Sequence, residues 1–528
     1  MSGPVAPAGR PSRPPRGVGG KPGGSASGQA GRGRPAQGSG QGTAGKGAGT
    51  APPGGRPRSA GDPARLVAYE TLRAVDERDA YANLVLPGLL RRAKLHGRDA
   101  GLATELAYGA LRGRGSYDAV LAACIDRPLK DVDPAVLDAL RLGVHQLLNT
   151  RVPQHAAVST TVDLVRATSG PGAGKFANAV LRRVTERDPD TWLDQVAPAA
   201  ELNPDGHLAV LHSHPEWIVR ALRDALRVAG RPAGELPALL AAHNARPRVA
   251  VAALPGLATA AELTQAGADP GLLSPLAVLL HGAPDDNPAI TEGRARVQDE
   301  GSQLVTLALA AAELSGPDQG RWLDLCAGPG GKAALLAALL AQRHQAGLVG
   351  DDAELVAVEV ADHRADLVSQ ALAPVPAAFE VRVGDGRSAV SGEPGRYDRV
   401  LVDAPCTGLG ALRRRPEARW RRTPSDLTAL APLQRGLLTA ALAAVRPGGV
   451  VAYVTCSPHP AETRAVVDDV LHDRSDLTRL DARAILAGVV STSSASTPAP
   501  DLGRGPDVQL WTHLHATDSM YLSLIRKN

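Results

Sequence analysis

The stretch 321-RWLDLCAGPGGKAALLAALLAQ-342 runs from a short apolar strand through a glycine-rich turn into a helix, and that order constrains the fold more than any other feature of the chain. A strand that feeds a helix through so tight a turn is the opening unit of a parallel α/β sheet. Further strand patterns follow at 354-ELVAVEV-360, 381-VRVGDGRS-388 and 397-YDRVLVDAPC-406. Four consecutive strand ends therefore deliver an acid: Asp324 with the glycine turn, Glu359, Asp385 and Asp403. Ligands of a doubly wound sheet bind at that edge. One such acid is explained as the cap of a following helix; four together describe a site.

The turn narrows the ligand. Gly328, Gly330 and Gly331 let backbone pass close to a bound molecule, and the helix behind them offers unpaired N–H groups. There is no GxxxxGK[ST] phosphate loop, and CAGPGGK departs from the GxGxxG of nicotinamide enzymes. S-adenosylmethionine fits better. It needs a carboxylate for its ribose, which Glu359 offers, a polar group for its adenine, and close backbone approach for its methionine part.

The rest of the 528-residue chain divides by composition. Residues 1–60 are Gly, Pro, Ala, Ser and Arg with no acid before Asp62, a basic tail expected to be disordered and able to hold a polyanion loosely. Residues 61–188 carry helical periodicity. The stretch 62–95 reads as a helix opened by an Asp-Pro cap, and others follow at 99–125, 134–149, 155–168 and 175–187. The last places Lys175, Arg182, Arg183 and Arg187 near one end, either a solvated face or a phosphate-contacting surface. Residues 189–296 read as a small α/β connector, in which His212 and His214 lack the neighbours of a metal site and suit capping or packing. Residues 297–528 form the α/β domain. The net charge of +4 is modest, and no run approaches the roughly 18 uncharged apolar residues of a membrane span. With no apolar leader and four scattered cysteines, a reduced cytoplasmic setting is expected, with no disulfide framework and no zinc spacing.

Two of those cysteines, Cys406 and Cys456, sit just past the ends of apolar strands beside prolines, whereas Cys124 lies in an apolar helix and reads as a core thiol. The ordered set 324-DLCAGPGGK-332, 384-GDGR-387, 403-DAPCTGLG-410, 413-RRRPEARW-420 and 455-TCSPHPAE-462 closely resembles the bacterial Fmu/Sun (RsmB-type) family of ribosomal RNA cytosine-5 methyltransferases. The 61–188 region resembles the NusB-type RNA-binding domain that precedes the catalytic domain in that family. DNA cytosine-5 methyltransferases use a single motif cysteine, so the pair in this order is specific.

The resemblance implies a multidomain chain, an all-α NusB-like bundle followed by a Rossmann-like class I methyltransferase domain. It implies S-adenosylmethionine as cofactor, held by Cys326, Ala327, Gly328, Pro329, Gly330, Gly331, Lys332, Glu359, Asp385 and Asp403, with Cys326 itself taken as packing. It also implies catalysis by Cys456 as nucleophile, Cys406 in release of the product, and Asp403 against the cytosine edge. The expected partner is RNA, naked or partly assembled 16S rRNA, met by a monomer away from membranes. The arginines Arg413, Arg414, Arg415, Arg419, Arg421 and Arg422 are expected to hold the backbone of an extruded nucleotide. Two departures stand out. Met520 and Tyr521 follow Asp518 where many relatives are aromatic-rich, and 491–507 reads as a flexible insertion. The alternatives are a tRNA cytosine-5 methyltransferase and a non-catalytic RNA-binding factor.

Overall fold

Asp62 starts the first helix: its carboxylate accepts from the backbone N–H groups of Ala64 and Arg65, and proline occupies the first helical position. The computed structural model describes residues 62–490 and 499–528, so the basic tail 1–60 and part of the expected insertion, 491–498, lie outside the described residues. The helix expected over 62–95 is two. Asp79 adopts a left-handed conformation at φ 50°, ending α1 (Pro63–Arg78), and α2 (Ala82–Ala93) begins after it. The bundle continues with α3 (Gly97–Cys124), α4 (Pro134–Asn149), α5 (Gln154–Ser169) and α6 (Pro171–Val184). Leu72, Leu106, Leu121, Leu140 and Leu181, spaced three or four apart from other apolar residues in their helices, close its core. Cys124 is buried there, and burial pushes its thiol up to about 11.

Four helices follow, α7 (Pro189–Val196), α8 (Pro204–Leu211), α9 (Glu216–Val228) and α10 (Leu236–Asn244). They lead into a small antiparallel sheet of β1 (Val249–Ala253), β2 (Asp269–Pro270), β3 (Ala277–Leu280) and β4 (Ala295–Val297), ordered β2-β3-β1-β4. His214 and His243 are buried with rings 5.5 Å apart, so the histidines of this segment are packing groups. Burial holds both well below the usual imidazole range.

The large sheet is built from β5 (Arg321–Asp324), β6 (Glu354–Glu359), β7 (Ala378–Val383), β8 (Tyr397–Asp403), β9 (Val445–Thr455), β10 (Leu477–Arg479), β11 (Val508–Gln509) and β12 (Tyr521–Lys527). Its order is β10-β12-β9-β8-β5-β6-β7, with β11 paired to β12. Strands β5 to β9 pair in parallel; β10, β11 and β12 are antiparallel. The chain winds outward from β5 through β6 to β7 and then returns to β8 on the other side of β5. That reversal opens a crevice at the carboxyl ends of β5 and β8.

Helices Glu300–Ala311 and Gly331–Gln345 cover one face, and helices Pro424–Ala444 and Arg464–Leu471 the other. Pro424–Ala444 is, among the described residues, the one helix whose length and composition would suit a membrane span. Here Leu437, Leu438, Ala441 and Leu442 bury its inner side against the sheet.

Candidate active site

Each of the four strand-end acids lies where its strand stops: Asp324 ends β5, Glu359 ends β6, Asp385 follows β7 by two residues and Asp403 ends β8. Between Asp324 and the helix Gly331–Gln345 the turn is too crowded for side chains. A Cβ on Gly328 would collide with the Glu359 carboxylate. Gly330 sits at φ 104°, with Ala371 and Val368 packed against the place a Cβ would occupy. Glu359 holds this turn itself, accepting from the Gly328 and Ala361 N–H groups at 3.1 Å and pairing with Arg364 at 3.2 Å. Asp385 caps a helical turn through the Arg387 N–H, and the Arg387 side chain holds its carboxyl down to about 2.

Asp324 is fully interior. One oxygen accepts from the Cys326 N–H at 3.3 Å, and the other is buried with no partner. Burial, reinforced by the charge of Asp403, pushes its carboxyl up to about 7. A carboxyl raised in this way stabilises the fold fully below its unfolded value near 4, and the contribution is lost as pH rises through about 7. Urea unfolding of the cofactor-free protein is therefore expected to show stability falling between about pH 4 and pH 7, and Asp324→Asn to flatten that fall. Parallel pH profiles for the two proteins would show that Asp324 does not carry it.

Lys332, buried at the start of the helix, donates to Asp403 at 2.8 Å and so ties the glycine turn to the end of β8. Three residues past Asp403 lies Cys406. Its Sγ stands 3.5 Å from the Sγ of Cys456, which follows β9, the neighbour of β8. That contact polarises the pair. The contact with Cys406 holds the Cys456 thiol below its ordinary value, while the same contact and burial push Cys406 up. The thiolate therefore forms at Cys456 first. Cys326 is half-buried against the core, and desolvation pushes its thiol up, as suits an inert packing thiol.

Some of the site's structure escaped the sequence reading. Glu462 is wholly buried and organises both cysteine loops. It accepts from the Thr407 N–H at 2.7 Å, the Thr407 hydroxyl at 2.5 Å and the Gln434 amide at 3.3 Å, while Tyr453 donates to its carbonyl. Its signal was its place in 455-TCSPHPAE-462, two residues past a second proline. Gln298 is buried with both amide atoms unpartnered, 4.0 Å from where a Cβ on Gly331 would lie. Nothing in its sequence neighbourhood marked it.

The arginine run 413–422 is not the phosphate surface expected. Arg419 is completely buried and donates to the carbonyls of Arg112, Ser213 and His243 and to the Asn244 side chain. Arg421 donates to the carbonyls of Val75, Asp79 and Ala80, and Arg414 pairs with Asp518. Arg413 donates to the Ala516 carbonyl, and Arg415 and Arg421 both lie over the Tyr81 ring. Glu417 accepts from the Ala82 N–H at the start of α2. The physical reason is that exposed carbonyls at helix ends need donors, and a guanidinium satisfies several at once. The segment staples the helical bundle to the catalytic sheet. Of the run, only Arg415 remains exposed.

Against this geometry, the NusB family model matches residues 62–186 and the model described as 16S rRNA methyltransferase RsmB/F matches residues 311–526. Ribosomal RNA small subunit methyltransferase B of Pseudomonas putida is 33% identical over 426 residues, 79% of this chain and 91% of the relative. The chain belongs to the RsmB/F methyltransferase family. A protein of Mycobacterium tuberculosis named as a methyltransferase, Rv1407, with no substrate in its name, is 52% identical over 479 residues, 89% of this chain and 99% of the relative. The crystal structure of PH0851 shares the fold at a TM-score of 0.69 and 21% identity, covering 89% of this chain and 99% of that one.

As an RsmB/F member the protein is an RNA methyltransferase that uses S-adenosylmethionine. The residues present suit that cofactor. The turn at Gly328 and Gly330 leaves a side-chain-free cradle, and the buried, unpartnered oxygen of Asp324 borders it.

Proposed function

We propose that the protein forms 5-methylcytosine in small-subunit (16S) ribosomal RNA through a covalent bond between Cys456 and carbon 6 of the target base. The observation that carries this reading is the pair of sulfurs 3.5 Å apart beside the Lys332–Asp403 ion pair. Carbon 5 of cytosine is a poor nucleophile, and a thiolate added at carbon 6 makes the ring enamine-like. S-adenosylmethionine, held by the glycine turn with Glu359 and Asp385, supplies the methyl group.

The Cys456 thiolate forms the S–C6 bond, and the electrons of the C5–C6 double bond shift onto the ring, where Asp403 holds the polar edge of the base. Carbon 5 then takes the methyl group. With Cys456 bonded to carbon 6, the contact that held the proton on Cys406 is gone; Cys406 passes that proton to water and then removes the proton from carbon 5. The electrons of that C–H bond restore the double bond as the Cys456 sulfur leaves as thiolate. One proton is released per methyl transferred. Lys332 keeps Asp403 in place throughout, and Glu462 fixes the loop that carries Cys406.

The substrate is tested by incubating the protein with S-adenosylmethionine and separate pools of 16S rRNA and tRNA, then digesting both and measuring 5-methylcytosine by mass spectrometry. The expected result is a single modified cytosine in 16S rRNA and none in tRNA. Methylation confined to tRNA would overturn the substrate, and methylation of neither by a folded protein would overturn the reaction.

A further inference from the structure

A cavity of about 320 Å³ lies between the helical bundle and the segment that follows it, with no residue of the glycine turn or the two thiol loops in its lining. Its size is at the lower end of the ~300–1,000 Å³ of small-molecule sites. Helix α3 contributes Glu105, Gly109, Arg112 and Tyr117, α4 contributes His145 and Asn149, and the connector closes it with Leu193, Leu211, Ser213 and Asn244. The NusB-like bundle alone does not make this pocket.

Its wall holds polar groups that the fold leaves unused. The Tyr117 hydroxyl accepts from the Asn149 amide at 2.9 Å and lies 2.8 Å from His145 Nδ1, which holds the ring in place. His145 is 3% exposed, and its Nε2 is buried without a hydrogen-bond partner, 3.7 Å from the Glu105 carboxylate with which it pairs when protonated. Gly109 is required beneath the ring, since a Cβ there would strike Nε2. Arg112 is the second unused donor. Its Nε is buried and unpartnered, and its guanidinium makes no ion pair among the described residues, lying instead over the Tyr108 ring at 5.4 Å. Burial lowers its hold on the proton, the mark of a cation kept from water. Glu105 supplies an acceptor, and Arg246 stands 3.9 Å from it with an exposed side chain.

Two donors beside one carboxylate form the complement of a guanine edge, whose O6 and N7 accept while N1–H and the 2-amino group donate. A cation on the rim suits the phosphate that follows such a base. We propose that this cavity binds an unpaired guanosine of the substrate RNA, at a distance from the cytosine being methylated. Arg112 and His145 take the acceptor atoms, Glu105 the ring N–H, and Arg246 the phosphate. The proposal rests on the RNA reading above for its source of guanosine, and it adds a second anchor that selects the RNA.

The test uses the full chain with 16S rRNA carrying 6-thioguanosine. After irradiation, crosslinked peptides mapped by mass spectrometry are expected to lie within residues 105–117 and 145–149. Arg112→Gln and Glu105→Gln are expected to lose that crosslink and to raise KM for the rRNA about tenfold with kcat unchanged, the loss of one charged contact to a base edge. The Arg112 side chain donates no hydrogen bond within the protein, so its replacement leaves folding intact, which an unchanged Tm verifies. Crosslinks elsewhere together with unchanged KM in both variants would overturn the proposal. Free GMP protecting these peptides while KM for RNA stays constant would assign the cavity to a free nucleotide and overturn the RNA source. The crosslink is read without methyl transfer, so failure of the proposed reaction is seen separately from failure of this site.

Discussion

Incubated with S-adenosylmethionine and 16S rRNA, the Cys406→Ala protein is expected to run on a denaturing gel as a slow-migrating protein–RNA adduct. Wild type and Cys456→Ala should show none. The expectation follows from the sulfurs' positions and unequal acidity. Without Cys406 the Cys456 thiol loses the contact that lowers it, so addition to carbon 6 slows but persists, while nothing then removes the carbon-5 proton. Turnover of Cys406→Ala should fall at least ~10³-fold while the adduct approaches one RNA per protein, and Cys456→Ala should lose methylation altogether. Cys406→Ala removes one sulfur from a loop held by Thr407 and Glu462, so folding is preserved. An adduct in Cys456→Ala instead, with none in Cys406→Ala, would mean that the two sulfurs have exchanged roles.

Arg419→Ala is expected to be among the most destabilising single changes outside the sheet. Three backbone carbonyls and the Asn244 side chain lose their donor in the interior between bundle, connector and catalytic domain. Each stranded group costs about 1–3 kcal/mol. Relief from burying a cation without a carboxylate offsets part of this, leaving a loss of about 3–5 kcal/mol. Arg419→Lys should recover little, because an ammonium is a point charge and cannot reach four acceptors spread around a planar fork. Urea unfolding measures both. A loss below about 1 kcal/mol for Arg419→Ala would show that water replaces the guanidinium and that the staple is unimportant.

This arginine also shows where sequence reasoning stops. The strand ends of Asp324, Glu359, Asp385 and Asp403 were legible because period, turn and acid coincide within a few residues. The nearness of Cys406 to Cys456 was legible only through resemblance, since the pairing of β8 with β9 brings together residues fifty positions apart. Arg419 carries the composition of a surface residue, and its interior position depends on carbonyls contributed by α3, the α8–α9 turn and α10, none of which local pattern predicts. Gln298 and Glu462 were hidden for the same reason: a buried polar side chain is recognised by its partners, or by their absence. The break at Asp79 had a signal in the polar run 76-DERD-79, which interrupts the apolar spacing between Val75 and Tyr81.

Strand β12 has a consequence for how the enzyme comes into being. It lies inside the sheet between β9 and β10, with Tyr521 opposite Thr455, far in sequence from the strands it joins. The residues just before it close the neighbourhood of the thiols. Ser519 donates to the Gly410 carbonyl, Gly410 donates to the Cys456 carbonyl, and Asp518 holds Arg414. The helical bundle can fold while the chain is still emerging, since its contacts are local in sequence. The thiol loops settle only once residues 518–527 have paired beside β9, so the catalytic neighbourhood is completed after the bundle, by a long-range step.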